Sequence, residues 1–127
     1  MSGELKILKE ALLAESSLPD VLFTGTSYKQ LMELRKKKWV VDDMYFADME
    51  SKSWDYAENK AVEDNSDNIL IVIDTDKLNK SKIRVDRGSN EEEWELDMGQ
   101  YIYSGNIQKA IINIYTDPNK PLKDKIW

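Results

Sequence analysis

The sequence predicts a single α+β domain, with helices in the first half of the chain and a mostly antiparallel sheet in the second. Its 127 residues match the size of one compact domain, and 41% of them are hydrophobic, too many for a disordered chain. Apolar residues recur at helical spacing early in the sequence, whereas short β-branched and aromatic runs dominate the later part. There is no internal repeat and no linker, so one domain covers residues 1–127.

Three segments carry the helical pattern. Apolar residues at three- and four-residue intervals predict an amphipathic helix over residues 4–14, which the following Ser-Ser-Leu-Pro-Asp stretch ends. Ser27 is a suitable N-cap for a second helix, in which apolar residues again recur every three or four positions. Asp48 is predicted to cap a third helix over residues 51–62.

Short apolar runs predict the strands. Residues 21–24 form a strand that is expected to turn at Gly25, and residues 44–47 form another. The β-branched run at 69–73 suits a central strand that is buried on both faces. Further predicted strands and turns follow in the later part: strands over 94–98, 101–103 and 110–115, a turn at Gly99 and a turn over 104–106.

Composition and charge exclude several classes of function. The chain has no Cys and no His, which excludes disulfides, thiolate nucleophiles, His-ligated zinc and Ser-His-Asp triads. A net charge of −6 and a pI near 4.7 argue against broad nucleic-acid binding, which needs a cationic surface. No run of the sequence suits a membrane span or a secretory signal, so we expect a cytoplasmic protein without a membrane partner. The acidic clusters lack calcium-loop spacing, and no metal site is predicted.

One segment carries a specific resemblance. The run from Tyr45 to Tyr56, Tyr-Phe-Ala-Asp-Met-Glu-Ser-Lys-Ser-Trp-Asp-Tyr, resembles the nicotinamide-binding segment of the poly(ADP-ribose) polymerases. The Phe-Thr-Gly-Thr run at 23–26 is similar to the family's first motif, His-Gly-Ser or His-Gly-Thr. The Gln-Tyr-Ile-Tyr run at 100–103 is similar to its third motif, which begins Glu-Tyr. The three motifs occur in the family's order, and the resemblance implies a small ADP-ribosyltransferase-like domain with a split antiparallel sheet and flanking helices.

The same residues can be assembled into a pocket by physical reasoning. A helix places Ser53 and Tyr56 on one face, and Tyr45 at the preceding strand can face that surface. Two tyrosine rings can hold a flat heteroaromatic ligand between them. The Ser53 hydroxyl can donate to a carboxamide, and Gly25 lets its backbone clamp the same group. The structural alternatives are core aromatics for the tyrosines, a turn glycine for Gly25, an exposed helix hydroxyl for Ser53 and an ordinary strand residue for Gln100.

The resemblance implies NAD+ as co-substrate, with ADP-ribose passed to an acceptor and nicotinamide released. At the family's His and Glu positions this sequence has Thr24 and Gln100. Glutamine lacks the charge with which a carboxylate stabilises an oxocarbenium-like transition state, so we expect transfer of single ADP-ribose units or no transfer. Glu95 and Asp97 lie nearby in the sequence and are alternative carboxylates.

Three functions remain open at this point. The first is a metal-independent mono-ADP-ribosyltransferase that acts on a protein or nucleic-acid acceptor. The second is a catalytically degenerate NAD+ pocket that serves as an inhibitor or decoy, for which an acidic surface suits a basic protein partner. The third is an enzyme of related fold that acts on RNA ends or bases, and the lack of a basic stripe counts against it.

Overall fold

A computed structural model of the chain describes residues 18–85 and 100–127. Within these ranges the chain forms two α-helices and seven strands, with short 3₁₀ turns after β3 and before β6. The elements follow in this order: β1 Val21–Ser27, α1 Tyr28–Lys36, β2 Val40–Ala47, α2 Glu50–Asp64, β3 Asn68–Asp74, β4 Arg84–Val85, β5 Gln100–Asn106, β6 Ile111–Asp117 and β7 Lys120–Pro121. The predicted α+β class is confirmed.

The seven strands form one antiparallel sheet in the order β4-β5-β2-β1-β3-β6-β7. Strand β1 lies between β3 and β2. On the β3 side it pairs at every residue from Val21 to Ser27. On the β2 side it pairs only where Phe23 lies opposite Ala47. The sheet is therefore split between β1 and β2, as the prediction of a split sheet requires.

The two helices cover opposite faces of the sheet. Side chains alternate along a strand, so Leu22 and Gly25 of β1 point to opposite faces. Leu22 belongs to the main apolar cluster together with Leu31 and Leu34 of α1, whereas Gly25 packs against α2. The cluster's fully buried aliphatic side chains are Leu22, Leu31, Ile69, Ile71, Ile73, Ile107 and Ile114. Burial of each such side chain stabilises the fold by about 1.5–3 kcal/mol.

The two helices begin differently. Ser27 caps α1 as predicted: its Oγ accepts from the Gln30 N–H at 3.1 Å and donates to Asp64 Oδ2 at 2.6 Å. That donated hydrogen bond holds the pKa of Asp64 below its ordinary value. The prediction that Asp48 caps the next helix is wrong, because extended backbone continues one residue further and the cap is Met49. The Asp48 carboxylate instead lies 3.9 Å from Nζ of Lys52, the third residue of the helix.

Two predicted turns are also wrong. Strand β1 continues through Gly25, which lies opposite Leu70 in unbroken pairing with β3. Residues 104–106 belong to β5, where Gly105 lies opposite Val41. Gly105 has a φ of +142°, which glycine accommodates inside the strand because it lacks a Cβ.

The predicted division into a helical half and a sheet half is only partly right. Strands β1 and β2, from the first half, lie in the middle of the sheet. The predicted central strand at 69–73 is confirmed, since β3 lies between β1 and β6. The helix predicted over 4–14, the strand over 94–98 and the turn at Gly99 lie outside the described residues. Neither helix of the described part is long and apolar enough to cross a bilayer.

Candidate functional site

A cavity of about 280 Å³ opens at the split between β1 and β2, next to α2. Its walls come from three residues each of β1, β2 and α2 and from the first residue of β5. The lining residues are Phe23, Thr24, Gly25, Tyr45, Phe46, Ala47, Lys52, Ser53, Tyr56 and Gln100. All six residues that the sequence predicted for the site are among them.

Strand register explains why residues so distant in sequence meet here. Residues opposite each other in antiparallel strands share a face, as do residues two positions apart in one strand. Ala47 lies opposite Phe23 on one side and opposite Gln100 on the other. Gly25 is two positions from Phe23, and Tyr45 is two positions from Ala47. Gly25, Tyr45 and Gln100 therefore lie on the face that α2 covers.

The position of α2 depends on the missing side chain of Gly25. A Cβ at this position would lie 1.8 Å from the Ser53 carbonyl oxygen and 2.8 Å from the Ala57 amide nitrogen. Both distances are shorter than any real Cβ contact, and both involve backbone that cannot move aside. The sequence predicted that this glycine permits close approach of a ligand, but the group that approaches most closely is the backbone of α2.

The two tyrosines of the cavity are not core residues. Tyr45 is 52% exposed and Tyr56 is 49% exposed, so the alternative that they pack in the core is wrong. About half of the surface of each tyrosine is exposed beside the cavity. Lys60 lies one helical turn beyond Tyr56, with its Nζ 5.8 Å from the centroid of the Tyr56 ring. Electrostatic interaction with Tyr56, followed by the hydrogen bond to the Glu63 carboxylate, raises the pKa of Lys60.

The two hydroxyl residues of the cavity occupy different positions. Ser53 is only 3% exposed, so the alternative of an exposed helix hydroxyl is wrong. Thr24 is equally buried, and its Oγ1 donates a hydrogen bond to the Tyr45 carbonyl at 2.8 Å. Alternation along β1 directs the Thr24 side chain to the face opposite Gly25. Thr24 therefore joins β1 to β2 across the split, and its hydroxyl proton is already used.

Lys52 is a cavity residue to which the sequence interpretation gave no role, although it stands in the Ser-Lys-Ser motif. Among the described residues that line the cavity, it is the charged one. Its Nζ lies 3.9 Å from Asp48 Oδ1. Burial, with a smaller contribution from Asp48, raises the pKa of Tyr101, which follows Gln100 in β5. Phe23 also lines the cavity, beside Gly25, although the sequence predicted no role for it.

No model of a known protein family matches the chain, and no curated protein or solved structure is significantly similar to it. The arrangement of side chains around the cavity is therefore the basis for a functional proposal. It combines two half-exposed aromatic rings, a buried hydroxyl, a glycine backbone, an amide side chain and one ammonium group.

Proposed function

We propose that the cavity binds the nicotinamide end of NAD+ and that the protein is a mono-ADP-ribosyltransferase with NAD+ as co-substrate. The observation that carries this proposal is convergence: residues from three separate sequence motifs line one cavity. Each motif alone is short. Strand register brings the motifs together, and the two tyrosine rings and the Gln100 amide that it places around one opening suit a flat ligand with hydrogen-bonding groups.

The size of the cavity supports one ring as its occupant. Its volume of about 280 Å³ lies just below the roughly 300–1,000 Å³ typical of pockets for drug-sized ligands. Tyr45 and Tyr56 would stack on the nicotinamide ring. The Ser53 hydroxyl and the Gly25 backbone would bind its carboxamide. The remainder of the dinucleotide would extend beyond the cavity.

The proposed reaction breaks the bond between the ribose C1′ and the nicotinamide nitrogen. The electron pair of that bond stays on nicotinamide, and the acceptor nucleophile forms a new bond to C1′ as its proton leaves. Positive charge develops on the ribose, where negative charge nearby is the main source of stabilisation. Gln100 offers a carbonyl oxygen with a partial charge, so we expect slow transfer of single ADP-ribose units.

A second candidate is a binding module that keeps the pocket without the chemistry. Among the described residues that line the cavity there is no carboxylate, and the Thr24 hydroxyl already donates to Tyr45. Such a module would act as an inhibitor or decoy. The net charge of −6 would suit a basic protein partner.

Nicotinamide binding tests the feature that both candidates share. At a ligand concentration of 100 times Kd, mass action stabilises the folded state by about 2.7 kcal/mol, which raises Tm by several degrees. We expect Tyr56→Ala to abolish this shift. Tyr28→Ala is the matched control, because Tyr28 is a similarly exposed helix tyrosine that does not line the cavity. It should keep the full shift.

Incubation of the purified protein with NAD+ separates the two candidates. Release of nicotinamide together with ADP-ribose bound covalently to a protein or nucleic acid supports the transferase. Binding of nicotinamide and NAD+ without release supports the binding module. If millimolar nicotinamide and NAD+ produce neither a Tm shift nor heat of binding, both candidates are wrong.

A further inference from the structure

The ring of Tyr56 is contacted from outside the cavity. Lys60 follows it by four residues, which places both side chains on the same face of α2. The ammonium lies 5.8 Å from the ring centroid, within the roughly 6 Å over which a cation is attracted to an aromatic face. Lys60 is not among the described residues that line the cavity, whereas Tyr56 is. The ammonium is therefore a neighbour of the Tyr56 ring that forms no part of the described cavity wall.

We infer that Lys60 is a positioning and specificity residue, which holds the Tyr56 ring in place and makes the cavity prefer a neutral pyridine ring over a cationic one. The inference rests on the proposed function, since it assumes that a pyridine ring stacks on Tyr56. It assigns Lys60 an effect through Tyr56 and no contact with the ligand.

The preference follows from electrostatics. The face of an aromatic ring attracts cations, and an ammonium on one side weakens that attraction for a second cation on the other. A ring stacks about 3.5 Å from Tyr56, so the two positive charges would be no more than about 9 Å apart. At an effective dielectric of about 20, unscreened repulsion at this distance changes affinity by about twentyfold, and salt screening lowers this to about two- to tenfold. The Glu63 carboxylate, 3.4 Å from the ammonium, reduces this effect.

The preference has a direct consequence for the proposed reaction. The nicotinamide ring of NAD+ carries a positive charge, which it loses when the C1′–N bond breaks and the electron pair returns to the ring nitrogen. An ammonium beside the ring disfavours the charged substrate relative to the neutral leaving group. Loss of Lys60 should therefore lower kcat and KM together, the signature of relief of ground-state destabilisation.

Two probes of nearly equal shape test the inference: nicotinamide, which is neutral, and 1-methylnicotinamide, which is a cation. The measured quantity is the ratio of the affinity for the cation to the affinity for the neutral ring, determined by calorimetry. Removal of the ammonium in Lys60→Gln should raise this ratio about two- to tenfold, and Lys60→Glu should raise it further. Glu63→Gln should lower it, because the ammonium then loses its partner carboxylate.

Two further variants keep the test specific. Lys60→Arg retains the cation and should restore the ratio of the wild type. Lys36→Gln removes a lysine of α1 whose Nζ lies 3.6 Å from Glu33, three residues earlier, and should leave the ratio unchanged. If both probes bind and Lys60→Gln and Lys60→Glu leave the ratio as in the wild type, the inference is wrong and the nicotinamide cavity stands. If neither probe binds to the wild type, the inference and the proposed function are both overturned.

Discussion

The two edges of β1 make opposite contributions to the molecule. The edge that faces β3 pairs at seven consecutive positions, beside the buried side chains of Ile69, Ile71 and Ile73. The edge that faces β2 pairs at one position, and the half-exposed ring of Tyr45 lies beyond it. Continuous pairing produces the core, whereas its interruption leaves room for a cavity. Stability and the candidate site thus depend on the two sides of one strand.

The part of β2 that does not pair with β1 contains a local irregularity. The register between β2 and β5 shifts between Val41 and Met44, which is the mark of a bulge. Within the bulge, Asp43 has a φ of +46°, and its amide donates to Ser104 Oγ at 2.8 Å. Bulges increase strand twist and recur next to functional sites. The bulge lies two residues before Tyr45, in the part of β2 that does not pair with β1.

The largest expected effect is that of Gly25→Ala, because α2 contacts β1 through the bare backbone of this residue. A Cβ 1.8 Å from the Ser53 oxygen forces the helix away from the strand. Overpacking commonly costs about 1–3 kcal/mol, and a clash with rigid backbone should cost more than about 3 kcal/mol. Urea unfolding should show this as a large fall in midpoint.

Gly105→Ala is the comparison variant, for which we expect a smaller loss of stability than for Gly25→Ala. Its added methyl would meet the Tyr103 ring no closer than 3.3 Å, so the main cost is the φ of +142°. We expect a loss of about 1–3 kcal/mol, as for other strained backbone positions. If Gly25→Ala is as stable as the wild type, the close contact between α2 and β1 does not hold the site together.

The next effect concerns chemistry at the open edge. Gln100 lies on the same sheet face as Tyr45 and lines the cavity. In Gln100→Glu a full negative charge would stand where the proposed reaction develops positive charge. Such groups typically contribute about 10²–10⁴ in rate, so we expect NAD+ hydrolysis or self-modification to rise by at least about tenfold. Nicotinamide release from NAD+ over time is the measurement.

Two variants test the position of that charge. Gln108→Glu adds the same charge at an exposed residue outside the cavity and should leave the rate unchanged. Glu95→Gln tests the alternative carboxylate near Gln100 in the sequence. Loss of existing turnover in Glu95→Gln would assign the catalytic carboxylate to Glu95. If no variant turns over NAD+ while nicotinamide still binds, the binding-module candidate replaces the transferase.

The sequence predicted the elements better than their ends. The spacing of apolar residues and the N-cap Ser27 predicted α1, and the β-branched run predicted β3. The predictions of turns at Gly25 and over residues 104–106 were wrong for a shared reason. Polar and glycine residues were interpreted by their local turn propensity, but the pairing of β1 with β3 and of β2 with β5 extended each strand through them. Tertiary pairing overrides local preference at strand ends.

The residues of the candidate site could be predicted because they lie in short motifs. The geometry of the cavity could not be predicted. Composition gave no indication that Thr24 would bond to the Tyr45 carbonyl, since that contact depends on where β1 and β2 separate. The positions of Lys52 in the cavity wall and of Lys60 beside the Tyr56 ring were also not predicted. A helical projection from Tyr56 would have placed both on its face, four residues before and four residues after it. Helical periodicity therefore predicts that Lys52 and Lys60 lie beside Tyr56.

The smallest expected effect is that of Thr24→Val, which tests the side-chain hydrogen bond from Thr24 to the backbone of β2. Thr24→Val keeps the shape of the side chain but removes the donor to the Tyr45 carbonyl, 2.8 Å away. We expect unfolding free energy to fall by about 0.5–1.5 kcal/mol. Thr75→Val is the matched control, because Thr75 is equally buried and its Oγ1 has no hydrogen-bond partner among the described residues.

The control should be neutral or slightly stabilising, since it removes a buried hydroxyl without a partner. Nicotinamide binding should survive in Thr24→Val, because alternation along β1 points this side chain away from Gly25 and the α2 face. Equal stability losses in the two threonine variants would mean that the bond to Tyr45 does not hold β1 and β2 together. The single backbone pair at Phe23 and Ala47 would then be the contact that closes the sheet beside the cavity.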